Sequence, residues 1–506
     1  MSNSQAEESD KRLEKLARKD INAQRLVPLQ DEIDGKNYRS RFARDRDRII
    51  YSTAFRRLMH KTQLYLSIKG TDHKRTRMSH TIEVVTIARA IAKKLKMNEE
   101  LVEAIAYGHD IGHAPFGHAG ENQLNSIANG NETIPARIQD KVKNETTPCI
   151  GDFKHNYQSV RILSFLEDYH PHQEDDKKIG LNLTFQTLEG ILKHTKIYEK
   201  GDEDKRILKF PCVHEETSIN RQDSIFDNLS LKNKDSISIE GQIVSIADEI
   251  AQVTHDIDDG LQTGALTYED ILNCSALVDI ITQDKMRFPN GAHSHIDNEY
   301  RQHQQVLSSF VNYFVLTVTE MMKTALSVYC QDDNSDDDKV FPAILPAILE
   351  IPAYKQILKL KDEKVMNHID VIRMDKKGEF IIRHLFDAYI SDIRQLPDEV
   401  FNNYGSIKKI EFKRIGKDGF DKWFKEVAKI KKIQRLDKTI IDTVVKHIEN
   451  DLKLRHLKRE IIDDLFPYLF WDNDFIRAII DYIAGMTDSF AESEYSELYM
   501  GSNKWS

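Results

Sequence analysis

His109-Asp110-Ile111-Gly112-His113-Ala114-Pro115-Phe116-Gly117-His118-Ala119-Gly120-Glu121 gathers three histidines and two carboxylates within thirteen residues. Histidines and carboxylates sit there among Ile, Phe and Gly, a company in which polar rings are too costly to bury without a purpose. Upstream lies Arg77-Met78-Ser79-His80, and far downstream Ser245-Ile246-Ala247-Asp248-Glu249-Ile250-Ala251. His80, His109, Asp110 and Asp248 offer two imidazoles and two hard carboxylates, a donor set for one divalent ion of the Mn, Mg, Fe or Co kind. Four protein ligands leave an octahedral ion two positions for water and a substrate oxygen, which makes hydrolysis the leading chemistry.

The surroundings of these motifs read as helix. Ile82, Val85, Ala88, Ala92 and Leu95 recur at three- and four-residue steps behind Ser79 as N-cap, and a second helix is expected after Asn98, running toward His113 until Pro115 and Gly117 stop it. A third stripe, Ile239, Ile243, Ile246, Ile250, Val253 and Ile257, buries one face of a helix that carries Asp248, Gln252, Asp256 and Asp259 on another. Strand signals are short, at 206–213 and 376–382 around Lys377-Gly378. The fold class is mostly α: a helical core, a further C-terminal helical region and few short strands.

The chain has 506 residues, 40% hydrophobic and 30% charged, enough for a large core and one to three domains. Residues 1–25 are polar and expected to be a mobile leader, 26–330 a catalytic region, and 340–506 a helical region completing the pocket and oligomer contacts. The acid run at 331–338 marks the boundary between them. Net charge is −10, so the surface as a whole does not advertise nucleic-acid binding and any anionic ligand needs a local basic pocket. The arginines between Arg39 and Arg57 read either as a solvated helix face or as part of such a pocket or a subunit contact. Four scattered cysteines and the lack of a basic-then-apolar leader or a ~20-residue apolar run point to the cytoplasm and no membrane.

The ordered motifs are specific enough to carry a resemblance. They comprise Asp45-Arg46-Asp47-Arg48-Ile49-Ile50, Ala54-Phe55-Arg56-Arg57-Leu58, Lys61-Thr62-Gln63 and Arg75 to His80. They continue through His109 to Glu121, Phe153 to Arg161, Gly180 to Thr184, Ala247 to Ala251 and Asp481 to Asp488. Together these resemble the deoxynucleoside triphosphate triphosphohydrolases of the HD-domain superfamily, the dGTPase family, over about residues 38–490. The resemblance implies attack of water on the α-phosphorus of a dNTP, dGTP by default, releasing the deoxynucleoside and intact triphosphate. It assigns the metal to His80, His109, Asp110 and Asp248, and the acid/base pair to His118 with Glu121 one helical turn on. His113 and His155 would face phosphate oxygens, Arg77 would clamp the triphosphate, and Gln63 matches a position near the sugar or base.

One departure stands out. Relatives commonly read D-D-I-A-Y where this chain has Asp248-Glu249-Ile250-Ala251-Gln252, so an amide replaces the aromatic and sugar discrimination is affected. The resemblance also implies a homo-oligomer, a hexamer or tetramer, and admits a nucleotide activator. Other HD phosphohydrolases, acting on a nucleotide monophosphate, cyclic dinucleotide or alarmone, are the alternative. A third reading is a non-catalytic scaffold for nucleotides or single-stranded DNA, resting on Lys408, Lys409, Lys413, Arg414, Lys417, Lys429, Lys431, Lys432 and Arg435 with Phe412, Phe420, Trp423 and Phe424 interleaved.

Overall fold

The fold is given by a computed structural model, which describes residues 10–63, 75–167, 180–197, 229, 235–291, 299–329, 341, 343–405, 442–443, 446 and 459–500. Among them the chain is helical, with only isolated bridges, such as Thr62 with Thr76, in place of strands. The elements used below are α1 (Arg41–Tyr51), α2 (Arg77–Leu95), α3 (Glu99–Gly108), α4 (Gly117–Ala128), α5 (His155–Arg161), α6 (Phe185–Lys193) and α7 (Ile239–Thr263). They continue as α8 (Glu299–Ser327), α9 (Pro352–Leu360), α10 (Ile369–Ser391), α11 (Arg459–Phe470), α12 (Asn473–Gly485) and α13 (Asp488–Met500). No helix of the described residues is long and apolar enough to cross a membrane.

The central helix is α7. Its stripe Ile243, Ile246, Ile250, Val253 and Ile257 is fully buried, and it packs against α2, α3, α6 and α8. Each such side chain removed from water contributes about 1.5–3 kcal/mol, so the stripe fixes α7's rotation and hence where Asp248 points. Ser238 caps its start and Gly264 ends it in the left-handed conformation.

Two helix ends differ from the sequence reading. The N-cap of α2 is Thr76, with Ser79 as its reciprocal partner in a capping box. The cause is the pairing of Arg75–Arg77 with Lys61–Gln63, which keeps Thr76 extended and delays the helix to Arg77. The second helix, α3, starts as expected at the Asn98 cap but stops at Gly108 rather than near His113. There Ser159 takes the carbonyl of His109 and accepts from the Gly112 N–H, so the chain turns over the start of α5.

The segment 376–382, expected as a strand, lies inside α10. Val371, Ile381, Ile382, Leu385, Phe386 and Tyr389 bury one helical face, and Gly378 leaves the space that Phe116 fills. The other expected strand, 206–213, lies outside the described residues, as do the acid run at 331–338 and the basic stretch from Lys408 to Arg435. Within residues 10–25, Leu13 enters the core, and Arg25 is buried between Glu32 and Asp45 because its charge is neutralised there. The arginines of α1 are likewise spent internally. Arg44 pairs with Asp31 and Glu32, Arg46 with Glu103, and Arg48 donates to the carbonyls of Leu181 and Asn182.

Two hydrophobic cores result. The first spans α2, α3, α6, α7, α8 and α9; the second joins α4 and its flanks to α10–α13. The C-terminal helices thus pack on the segment that follows His113. Asp488 accepts from the backbone N–H groups of Thr62 and Phe116, at 2.8 and 2.9 Å, and the buried Lys61 amine donates to the carbonyls of His113 and Ala484. Phe116 has φ of +63°, a strained conformation for a bulky residue, held by these contacts.

Candidate metal and nucleotide site

Three elements bring the expected ligands together. His80 stands one turn into α2, His109 and Asp110 lie in the turn after α3, and Asp248 comes from the middle of α7. His80, His109 and Asp110 offer ligand atoms within 4.8 Å of one another. The Asp248 carboxylate reaches both imidazoles: Oδ1 is 2.9 Å from His80 Nε2 and 3.6 Å from His109 Nε2. Asp110 lies 3.5 Å from His109 Nε2 and 3.9 Å from His80 Nε2. Neighbouring ligands ~2.1 Å from one ion are ~3 Å apart at right angles and further apart at wider angles, so these separations suit a shared cation.

The strongest sign is an orphan. His109 Nδ1 donates to the Ala106 carbonyl at 2.7 Å, which in a neutral ring leaves Nε2 bare, and Nε2 is buried with no hydrogen-bond partner among the described residues. It faces two carboxylates, an arrangement that repels unless positive charge sits between. Without an ion the protein must supply that charge as a proton. Burial opposes it, but Asp110 and Asp248 outweigh burial and raise the His109 pKa to about 9. Asp110 and Asp248 are held well below the carboxylate range, His109 outweighing their burial. These residues fit a divalent metal.

Beside this cluster lies a second. Glu121, on α4, is hydrogen-bonded to His155 Nδ1 at 2.9 Å; His113 Nδ1 is 3.6 Å away and His118 Nδ1 3.8 Å. Glu121 therefore engages His155 first. His118 lies at the mouth, its side chain 66% exposed. Burial works against the Glu121 charge, yet His155, His113 and His118 drive its pKa far down. His113 stacks on His155 at 3.8 Å and places Nε2 3.1 Å from Asp110, so it serves a metal-site carboxylate as well as the cleft. Arg77, 2% exposed, grips the other Asp110 oxygen at 2.9 Å, while its Nε has no partner among the described residues.

These groups line a cleft of about 750 Å³, within the range of small-molecule sites. Gln63 and Gln252 line it too, Gln63 with a buried side-chain oxygen that has no partner among the described residues. Arg75 does not: it pairs with Glu83, Asp258 and Asp259 on the far side of α2, so its charge is unavailable to an anion in the cleft.

Sequence reading missed two members. His194, at the end of α6, directs Nδ1 to the Ile191 carbonyl and brings Nε2 within 3.3 Å of His155 Nε2, its pKa lowered to about 3 by burial and then by His109 and His155. No motif flagged it beyond its place after Lys193. His255 sits 3.2 Å from His80 and contacts Glu83; burial pushes its pKa down to about 4 despite Glu83. Its spacing was readable, since seven residues from Asp248 return an α-helix to nearly the same face.

Comparison with known proteins agrees with this geometry. An HD domain model matches residues 77–252, a span that includes Arg77, His80, His109, Asp110 and Asp248, and a phosphohydrolase-associated domain model matches 426–497. A deoxyguanosinetriphosphate triphosphohydrolase-like protein 1 of Mesorhizobium japonicum is 36% identical over 373 residues, 73% of this chain and 82% of the relative. The chain belongs to this deoxyguanosinetriphosphate triphosphohydrolase-like family of HD proteins. Similar proteins of the same description come from Rhizobium leguminosarum, 33% identical over 72% of this chain and 80% of the relative, and Nitrobacter hamburgensis, 33% identical over 77% and 88%. As a family member, the chain is an HD phosphohydrolase whose relatives are named for a nucleotide triphosphate.

Proposed function

We propose that this protein hydrolyses deoxynucleoside triphosphates, dGTP foremost, to the deoxynucleoside and inorganic triphosphate. The observation that carries the reading is the bare, buried His109 Nε2 facing Asp110 and Asp248 at the wall of a nucleotide-sized cleft. His80, His109, Asp110 and Asp248 would hold one divalent ion, Mn, Mg, Fe or Co. When bound, such an ion polarises phosphate oxygens and lowers the pKa of a coordinated water. Arg77 and His113 fix Asp110 from both sides and, with His155, would face the phosphate oxygens.

Water adds at the α-phosphorus and the bond to the sugar 5′-oxygen breaks. That oxygen leaves as an alkoxide unless a proton reaches it, and His118, at the cleft mouth with Glu121 behind it, would donate one. The 2.9 Å contact of Glu121 with His155 makes His155 the competing donor. Gln63, with its unpartnered oxygen, and Gln252 would face the sugar or base. The reading includes a cytoplasmic homo-oligomer, hexameric or tetrameric.

The test is incubation of the metal-loaded protein with dGTP and separation of the phosphate products by anion exchange. Intact triphosphate, absent in Asp110→Ala, supports the reading; orthophosphate or pyrophosphate moves the protein to another branch of HD phosphohydrolases. The oligomeric state is read by light scattering on the purified chain.

A further inference from the structure

Behind the metal site runs a chain of hydrogen bonds that the hydrolysis does not use. His80 Nδ1 lies 3.2 Å from His255 Nδ1, with the two rings 76° apart. The other ring nitrogen of His255, Nε2, contacts the carboxylate of Glu83. Glu83 stands one turn beyond His80 on α2, and its second oxygen is held by Arg75 at 3.0 Å. His255 itself is buried, and so is His80.

The order of donors follows from the outer end. An ionised carboxylate only accepts, so the contact to Glu83 requires the proton of a neutral His255 on Nε2. That leaves His255 Nδ1 as a lone pair, and its contact with His80 Nδ1 then requires His80 to be the donor. A His80 protonated on Nδ1 has a bare Nε2, and Nε2 is the atom turned toward Asp248 at 2.9 Å and Asp110 at 3.9 Å. The opposite tautomer would place a proton where an ion must bind, and would set a His255 lone pair against the Glu83 carboxylate.

We propose that His255 is a positioning residue that holds His80 in its Nδ1–H form with Nε2 open to the metal, and that Glu83, steadied by Arg75, sets the orientation of His255. The proposal rests on the reading of His80, His109, Asp110 and Asp248 as metal ligands. Partners behind a metal-bound histidine typically change metal affinity 10–100-fold when removed.

The experiment measures Mn²⁺ affinity of the full-length protein by competition with a fluorescent chelator, without substrate, in four variants. His109→Ala reports on the site itself and should lose Mn²⁺. His255→Leu removes the acceptor and should bind Mn²⁺ ~10–100-fold more weakly. His255→Asn is the rescue: its amide oxygen occupies about the place of the ring Nδ1 and accepts from His80, so affinity should stay within about threefold of wild type. Glu83→Ala frees the His255 tautomer and should fall between the two.

If His109→Ala keeps its Mn²⁺, the ligand assignment has failed, and the relay with it. If His109→Ala loses Mn²⁺ while His255→Leu binds like wild type, the relay alone is overturned. Equal loss in His255→Asn and His255→Leu also overturns it, because packing rather than the hydrogen bond is then being read. Should His255→Leu fail to give the wild-type far-ultraviolet circular dichroism spectrum, the half-exposed Glu83 decides: wild-type affinity in Glu83→Ala overturns the proposal, and a weakened one supports it.

Discussion

Gly112→Ala is the substitution from which most can be learned, because one methyl group tests how closely the metal turn lies on the helix beneath it. A Cβ built at Gly112 would stand 2.1 Å from the His155 carbonyl oxygen and 2.2 Å from the Ser159 nitrogen. Both are backbone atoms of α5 and cannot rotate away. Real contacts lie beyond about 3 Å, so the turn and α5 must part by about 1 Å. Overpacking of this kind costs about 1–3 kcal/mol, and backbone against backbone puts it at the upper end.

In a chain this long that cost moves the melting temperature by only a few degrees, since ~1 kcal/mol is worth ~1–2 °C, so melting is the weaker assay. Displacement is the stronger readout: His109 and Asp110 are on one side of the gap and His155 on the other, and ~1 Å of misplacement typically costs ~10² in rate. The measurement is turnover beside Mn²⁺ affinity in Gly112→Ala, with two controls. At Gly108 the nearest obstacle is the Ile191 side-chain terminus at 2.4 Å, which can swing aside, so Gly108→Ala should lose less than tenfold. Gly405 has nothing within 4 Å, and Gly405→Ala should behave as wild type. Wild-type turnover in Gly112→Ala would refute the close approach.

Burial, opposed by Asp488, pushes the Lys61 amine from 10.5 down to about 7. The unfolded chain then binds the extra proton between those values, so wild-type stability should rise with pH across that window by up to ~1.4 kcal/mol per unit relative to Lys61→Met. Urea midpoints at pH 7.5 and 9.5 check it, and parallel curves for the two proteins count against the depressed amine. His118→Ala should keep its metal and lose ~10²–10⁴ in turnover, measured by triphosphate release. A loss below tenfold there, with a larger one in His155→Ala, transfers the proton-donor role to His155. Gln252→Tyr should sharpen the preference for dGTP over GTP in kcat/KM by one contact's worth, ~1–3 kcal/mol; an unchanged ratio puts residue 252 outside the sugar pocket.

The sequence shows the fold where periodicity is local and long. The α7 stripe and the α2 and α3 faces need no tertiary information, because 3.6-residue spacing alone says which side is buried. It misleads where a distant partner intervenes. Lys376 to Ile382 resembled a strand around a glycine turn, whereas that glycine is a hole for Phe116 from another segment. The arginines of α1 looked solvated or anion-binding because their acceptors, Asp31, Glu103 and the Leu181 and Asn182 carbonyls, are not sequence neighbours. The same holds for the site: His80, His109, Asp110 and Asp248 were nameable from motifs, but what orients them was not.

That orientation is where the C-terminal region matters. Asp488 and Ala484 lie more than 350 residues from the loop they hold, yet Asp488 takes the N–H of Phe116 and the Ala484 carbonyl shares Lys61 with the carbonyl of His113. A non-glycine residue at positive φ costs of order 1–3 kcal/mol, and it persists only where its surroundings over-determine it. The Asp488 and Gly378 contacts do so here, and they come from helices packed on α4 rather than from α2, α3 and α7, which carry the proposed ligands. The turn that presents His113, His118 and Glu121 to the cleft is therefore shaped from behind by the second core, while the proposed ligands are set by the first. A fragment ending after α7 would retain every proposed metal ligand and lose the framework of the second histidine cluster. On this account metal binding and turnover are separable by where the chain is perturbed.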